Sequence, residues 1–559
     1  MPNNTEVLFS EVPYVEKQRS RFDRSCEHKT TWSTGDLIPI QVSEVLPGDT
    51  ITADFSHVTR MMTPIAPVMD HAAMDIYAFF VPNRLVWEHW KAFCGENEVT
   101  HWEQPIEYTI PQITSPDSGW DVGSLADYMG IPTGVGHLSI SALPFRAYCK
   151  IVNDWFRDEN LKDPCNFNTD ETTVAGINKG LNYDYVTDTI KGAAPFKAAK
   201  WADYFTKALP EPQKGPDVSI PLGKTAPVVA GEGFDKPLNN TNLSWNSANK
   251  GQQVALRGDS NLPYDAVHTL LYDSVNENWQ YPNLTANTVS PIIADLSEAT
   301  AATINQLRQA FAVQRFYEAM ARGGSRYIEY VANVFGVTSP DARQQRSEYL
   351  GGKRFPINMD QVLQTSGTDS TSPQGNTAAF SCTVNSDNLC TYSSTEHGYF
   401  FVLGVIRTNH SYQQGIERFW SRTKFFDFYQ PQLANIGEAP IFNKELYAQG
   451  STVVDASGNV VDDQVFGYQE AWADYRYCPN RISGKLRSTA SGTLDIWHYG
   501  DYYQSLPQLS SEWIDETEAN VQRTLAVQNE PQFVSDFYIK SIWTRIMPLY
   551  SVPGLMDHH

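Results

Sequence analysis

Across residues 37–81, polar and apolar positions follow the rhythm of strands. Between 50 and 58, Ile51, Ala53 and Phe55 stand against Thr52, Asp54 and Ser56, the two-residue period of a half-buried strand. Pro47-Gly48-Asp49 supplies the turn before it. The run IYAFFV (76–81) is apolar throughout and reads as a strand buried on both faces, stopped by Pro82-Asn83. The second half returns to this pattern at 397–408 (HGYFFVLGVIRT). Further strands are expected at 464–477, 493–499 and 534–547, and VVDASGNVVDD predicts a hairpin turning at Gly458-Asn459.

Helical spacing interrupts the strands. Within 143–157, Phe145, Tyr148, Cys149, Val152, Trp155 and Phe156 recur every three or four residues, and Pro144 suits a first turn. Residues 85–93 form a weaker candidate. A third spans 297–321, with Ser297 as N-cap, Glu298 in its first turn, a stripe of Ile304, Leu307 and Phe311, and Gly323-Gly324 as the stop.

Residues 223–296 are rich in Asn, Gly, Pro, Ser and Thr. A structureless loop of that length is improbable in a compact body, so a small inserted lobe is expected there. Residues 366–395 read as a second polar loop. The resulting division is 1–222, the first part of the body with helical insertions; 223–296, an inserted surface lobe; and 297–559, the rest of the body and a C-terminal arm. Many strands with long interruptions predict a mainly β protein, a sandwich or jelly roll rather than alternating βαβ units.

The chain has 559 residues, enough for a large core, and a formal net charge of −22. A protein coating DNA with its whole surface would be basic, so any nucleic-acid contact must come from local patches. The aromatics (14 Trp, 28 Tyr, 27 Phe) suit both a β-rich core and extensive interfaces. Seven cysteines without a CxxC pair argue against a disulfide scaffold or zinc site and fit a reducing compartment. The opening MPNNTEVLFSEV has no basic or apolar signal region. The apolar runs reach only eight residues, far below the roughly 20 needed to cross a bilayer, so no membrane insertion is expected.

No catalytic motif emerges. PLGKT (221–225) lacks the first glycine of a phosphate loop, and GVGHLS (134–139) lacks the third glycine of a dinucleotide fingerprint. The histidines show no metal spacing on a helix. Asp455, Asp462 and Asp463 could hold calcium, but a solvated hairpin explains them as well. RGD (257–259) reads either as an adhesion tripeptide or as chance. Neither catalytic nor metal residues are assigned, and no cofactor is expected.

Three segments combine cations with aromatics. Lys17, Arg19, Arg21, Arg24 and Lys29 outnumber Glu16, Asp23 and Glu27 by two. Residues 418–429 interleave Arg418, Arg422 and Lys424 with Phe419, Trp420, Phe425, Phe426 and Phe428. Arg476, Arg481, Lys485 and Arg487 have no acid among them and neighbour Tyr475 and Tyr477. Cations neutralise phosphates and aromatic rings stack on unpaired bases. Arg19, Arg21, Arg24, Arg476, Arg481, Lys485 and Arg487 are therefore candidate nucleic-acid-facing residues. Intersubunit ion pairing is the competing reading.

Several dense polar-aromatic strings carry a resemblance: HKTTWSTGDLIPIQVSEVLPGDT (28–50), DIYAFFVPNRLVWEHWKAF (75–93), LPFRAYCKIVNDWFRDENL (143–161), WADYFTKALPEPQKG (201–215), SPDARQQRSEYLGG (339–352), SYQQGIERFWSRTKFFDFYQP (411–431), VFGYQEAWADYRYCPNRISGKLRS (465–488) and LDIWHYGD (494–501). In this order they resemble the major capsid proteins of the Microviridae, small single-stranded DNA bacteriophages, and their gokushovirus branch most closely. The resemblance runs from about 5 to 222 and from about 300 to 500. It implies an eight-stranded antiparallel viral jelly roll with long insertions, in a T=1 icosahedral shell of this one chain around circular single-stranded DNA.

It also implies partners: an internal scaffolding protein, a small basic DNA-binding protein, a pilot protein and a bacterial surface receptor. The virion, and the host cytoplasm during assembly, are the implied locations. The insert of these proteins projects at the threefold axes and is implicated in host attachment. Residues 223–296 sit where it belongs, which makes Trp245, Asn246, Arg257, Asp259, Trp279 and Tyr281 candidate attachment residues. Trp87, Trp90, Phe145, Tyr148, Trp155, Phe156 and Trp420 are expected in the core or at subunit interfaces. A β-sandwich carbohydrate-active enzyme and a monomeric host-binding module would also account for aromatics, acidity and polar loops, but not for the strings.

Overall fold

A computed structural model describes residues 18–96, 106–178, 183–216, 218, 304–363, 365, 367–368, 374–375, 377–528 and 530–550, together with the backbone of five short strands between 228 and 294. The chain divides into two compact units. One comprises Met1–Lys214 with Glu318–His559, the other Gly215–Tyr317.

The first unit is built on two antiparallel sheets. One contains β1 (Ser20–Asp23) and β2 (Cys26–Trp32), which pair in succession with β11 (Phe533–Arg545). β11 in turn pairs with β4 (Thr50–Met61), and β4 with β7 (Thr383–Ser393). The other has the order β6 (Glu348–Pro356), β5 (Ala72–Pro82), β8 (Gly398–Thr408), β3 (Ile38–Val45). A further hairpin joins β9 (Glu438–Phe442) to β10 (Val465–Glu470). The protein is thus mainly β, with helices inserted between strands.

The alternation at β4 has the expected result: Ile51, Ala53 and Phe55 are fully buried while Thr52, Asp54 and Ser56 turn outward. β11 repeats it, placing Phe533, Phe537, Ile539 and Trp543 in the same core. The register sets Phe537 opposite His57 and Trp543 opposite Ile51. Met74, Ile76, Phe80, Phe400 and Val402 close this core from the second sheet. β5 and β8 are apolar on both faces because a second core covers their other side, where Phe79, Val81, Leu403 and Val405 meet α1 (Leu143–Ile151). Pro144 stands in the first turn of α1, and a π-helical turn, Val152–Phe156, completes the helical stretch expected over 143–157.

Other expectations need correction. Residues 366–395 are not simply a loop: 377–380 pairs with 360–363, and 383–393 is the edge strand β7. Its outward face is mostly polar (Ser386, Asp387, Asn388, Thr391 and Ser393, with Val384 the exception), and a register shift between Asn388 and Cys390 breaks the period that would betray it. Residues 85–93 contain only a 3-10 turn, Asn83–Leu85, and one short helix, Trp90–Phe93. Residues 493–499 hold a 3-10 turn, Asp495–Trp497, instead of a strand. At 451–463 the only pairing is the bridge between Val454 and Val460, with Gly458 at φ +83° and Asp455 accepting from the amides of Ser457 and Asn459. The helix expected at 297–321 appears as α2 (Ile304–Gly323), which stops at Gly324 (φ +92°). Its stripe of Ile304, Leu307 and Phe311 is exposed, and Ser297 and Glu298 lie outside the described residues. A short turn leads to α3 (Tyr327–Phe335).

His57 lies between the sheets, its ring 5.0 Å from that of Phe355 and 5.8 Å from that of Phe55. Nδ1 bonds Thr59 Oγ1 at 3.0 Å, and Nε2 has no partner. Burial lowers its pKa from 6.5 to about 4. The folded state therefore refuses a proton that the unfolded state accepts. The stability this confers is fully present above pH 6.5 and is lost as pH falls toward 4. Urea unfolding of wild type and His57→Leu at several pH values should show wild type losing stability faster across that window.

Candidate assembly and nucleic-acid surfaces

The expected interface aromatics separate into two groups. Trp87, Phe145 and Tyr148 are fully buried. The Tyr148 hydroxyl donates to the Leu37 carbonyl at 2.7 Å and accepts from the Phe196 amide at 3.0 Å, fastening α1 to the sheet. Trp90, Trp155 and Phe156 are half-buried, and the Trp155 indole donates to the Ser347 carbonyl at 3.0 Å. These six are core or its margin. Trp420 is 71% exposed and belongs to a different surface.

That surface is built from residues 411–436. Its base is fixed by paired amides. Gln413 donates to the Asp501 carbonyl (2.9 Å) and accepts from the Ser488 amide (2.7 Å), and Gln414 exchanges two bonds with the Tyr503 backbone, each 2.7 Å. Gly415 runs so close to the Glu445 backbone that a Cβ would fall 1.9 Å from its carbonyl oxygen. Short 3-10 turns follow at Arg418–Ser421, Phe425–Asp427 and Pro431–Leu433. Asp427 accepts from the amides of Thr423 and Lys424 (2.8 and 2.7 Å), which tightens the turn presenting Phe425 and Phe426.

The result is an exposed aromatic run. Phe425 and Phe426 are 70% and 69% exposed, and Phe419, Phe428 and Tyr429 are also open to solvent. Phe419 and Trp420 lie 4.7 Å apart, ring to ring. Beside them opens a cleft of about 310 Å³ floored by Tyr204, Phe205 and Tyr412 and walled by Arg418, Arg422, Tyr475 and Arg481. Single exposed hydrophobics need no explanation, but a contiguous aromatic patch on a charged chain marks an interaction surface.

The candidate phosphate-binding residues are mostly engaged. Arg476 pairs with Glu470, and Arg481, 81% exposed, pairs with Glu417 at 3.0 Å. Arg487 donates to the Gln413 carbonyl. Lys485 is exposed and has no ion pair among the described residues. Arg422 pairs with Asp474 and stacks 4.3 Å from the Tyr475 ring centre. At the edge of the first sheet, Arg19 donates to the Gly48 carbonyl (2.7 Å), Arg21 is exposed, and Arg24 lies 4.5 Å over the Trp543 ring. The first group follows the sheet edge and the second packs against 410–417, so they belong to separate parts of the unit. Lys17, Trp245, Asn246, Arg257, Asp259 and Tyr281 lie outside the described residues, as does the side chain of Trp279. Among the described residues no His, Cys, Asp or Glu group could hold a metal ion, and no helix is long and apolar enough to cross a membrane.

Two buried charge clusters are not legible in the sequence. His410 bonds Asp501 through Nδ1 (2.9 Å) and Glu516 through Nε2 (3.0 Å), and all three are buried. Burial opposes its charge, but the two carboxylates prevail and raise its pKa to about 10. Asp501, though burial pushes it upward, is held well below the usual carboxylate range by His410 and Lys200. In the second sheet Asp75 accepts from Arg354 (2.6 Å), Arg407 (3.1 Å) and the Trp201 indole (3.3 Å). An acid directly before the apolar run of 76–81 was the available signal.

Comparison with known proteins identifies the family. The family described as capsid protein (F protein) matches residues 10–555. The chain belongs to that family. The capsid protein VP1 of Spiroplasma virus 4 is 43% identical over 536 residues, 94% of each chain. The VP1 proteins of Bdellovibrio phage phiMH2K (40%; 98% of this chain, 97% of the other) and Chlamydia phage 1 (37%; 99% and 98%) match almost end to end. This capsid protein of the Microviridae type is structural, not an enzyme, and its place is the virion capsid. Its work is to meet copies of itself.

Proposed function

We propose that this capsid protein builds a T=1 icosahedral shell around a circular single-stranded DNA genome, with the five-stranded and four-stranded sheets forming an eight-stranded jelly roll in which β1 and β2 together fill one strand position. The sheet orders support this: β1/β2, β11, β4 and β7 on one side and β3, β8, β5 and β6 on the other place successive strands in opposite sheets except for the neighbours β5 and β6, the pattern of a double Greek key. The observation that carries the assembly reading is the exposed aromatic run from Phe419 to Tyr429 beside its cleft. A closed point group repeats one heterologous contact around the shell, so modest contacts act together.

The net charge of −22 and the acid-paired arginines leave little basic surface, which favours a separate small basic protein as the main DNA neutraliser. Lys485 and Arg21 are the candidate direct contacts. A scaffolding protein and a pilot protein complete the assembly set in the host cytoplasm. The segment 223–296 serves host attachment through a bacterial surface receptor.

Deleting 223–296 tests the division of labour. Shells should still form, as seen by negative-stain electron microscopy, while adsorption to the host is lost. Loss of shells would make the segment an assembly element.

A further inference from the structure

A second cavity, of about 370 Å³, opens on the side of β5 and β8 away from the sandwich core. Its walls are six aromatic side chains from four parts of the chain: Tyr77 and Phe79 of β5, Trp155 and Phe156 of the π-helical turn, Trp201, and Tyr349 of β6. The rings support one another edge to face or tilted. Tyr77 and Phe156 are 5.3 Å apart, and Phe79 and Trp155 each lie 5.5 Å from Tyr349. A core of this composition would ordinarily close on itself, because each uncovered ring forfeits dispersion contacts.

The cavity is also electropositive. Arg407 lines it, 12% exposed, donating to Asp75 (3.1 Å) and to the Tyr77 hydroxyl (3.4 Å). Its Nε is buried with no hydrogen-bond partner. Arg354 shares the same carboxylate and lies 4.4 Å over the Trp201 ring. One carboxylate between two guanidiniums leaves a positive charge in excess. Lys200 also lines the cavity, and Arg346, whose charge Asp154 and Asp341 offset, lies 3.7 Å over the Trp155 ring behind it. On a chain of net charge −22, such a place favours an anionic ligand over a second copy of the chain.

We propose that this cavity binds one unpaired nucleotide of single-stranded DNA, the base stacked among Tyr349, Trp155 and Trp201 and a base carbonyl or phosphate accepting from Arg407. The proposal rests on the reading that the shell encloses single-stranded DNA. Stacking on aromatic faces tolerates any base, and an arginine supplies donors to base-edge acceptors or phosphate. The cavity volume falls in the range of small-molecule sites.

The test uses the full chain and two probes, octathymidylate and an abasic octamer of equal charge, followed by tryptophan fluorescence. The wild type should bind octathymidylate at least tenfold more tightly than the abasic octamer. Tyr349→Ala, at a position 43% exposed and so compatible with folding, should erase most of that difference. Ultraviolet crosslinking of wild type to a 5-iodouracil octamer should map to Trp155, Trp201 or Tyr349.

If folded Tyr349→Ala keeps the full preference and the crosslinks fall elsewhere, such as near Lys485, this site is overturned while enclosure of DNA stands. If wild type binds neither octamer, this site is overturned, while enclosure of DNA neutralised by a separate basic protein stands. If an aromatic dipeptide amide occupies the cavity and octathymidylate does not, the cavity is a protein socket and the proposal is wrong.

Discussion

Replacing Trp420, Phe425 and Phe426 together with Ala is expected to leave a folded subunit that no longer builds shells. The three side chains are about 70% exposed, so the isolated subunit gains little from them. Thermal unfolding should shift by no more than about 2 °C, as for surface substitutions. At an interface the same rings behave differently. Aromatic anchors buried between subunits cost ~2 kcal/mol or more each when truncated, and a closed shell repeats that loss at every contact. Size-exclusion chromatography and electron microscopy of the triple variant should show subunits or small oligomers where wild type gives shells. Normal yields of particles would mean that the run faces solvent in the virion.

The second large effect concerns stability. His410→Ala should destabilise the first unit by about 3–5 kcal/mol, the usual consequence of leaving buried carboxylates without their cation. Asp501 and Glu516 would face each other across the gap, bonded by Asn520 (2.6 Å to Asp501) and Thr408 (2.8 Å to Glu516), with Lys200 left acting on Asp501 in place of their shared imidazolium. The pH dependence gives a signature that a simple cavity lacks. The folded pKa of His410 is raised to about 10, so its contribution is complete below pH 6.5, the unfolded value, and fades as pH rises toward 10. Asp501 is lowered, so its contribution is complete above 3.8 and fades as pH falls below that. Denaturant unfolding should therefore show the gap between wild type and His410→Ala widest between about pH 4 and 6.5 and narrowing in alkali.

Much of the β framework is legible in the sequence because burial on one face imposes a period of two. Ile51, Ala53 and Phe55 announce β4, and the unbroken apolar run announces β5, whose two faces are both covered. β7 escapes the same logic: apart from Val384 its exposed face is polar, and a bulge resets the alternation within it. Aromatic residues are harder to sort. Trp87 and Trp420 are alike as letters, but one is enclosed by the helical layer and the other is held outward on a segment of 3-10 turns. The charge clusters are invisible locally because their members meet only through folding. His410 is 91 and 106 residues from its two partners, and Asp75 is 279 and 332 from Arg354 and Arg407. The cationic segment 476–487 looked free of acids only along the chain, since Glu470 and Glu417 arrive from outside it.

The central claim, that copies of this chain close into an icosahedral shell, is tested most directly by expressing it with its scaffolding partner and examining the product by electron microscopy with sedimentation. Uniform particles of T=1 symmetry, sedimenting as a single species, are the predicted result. A monodisperse monomer in the presence of the complete set of phage proteins would contradict the account.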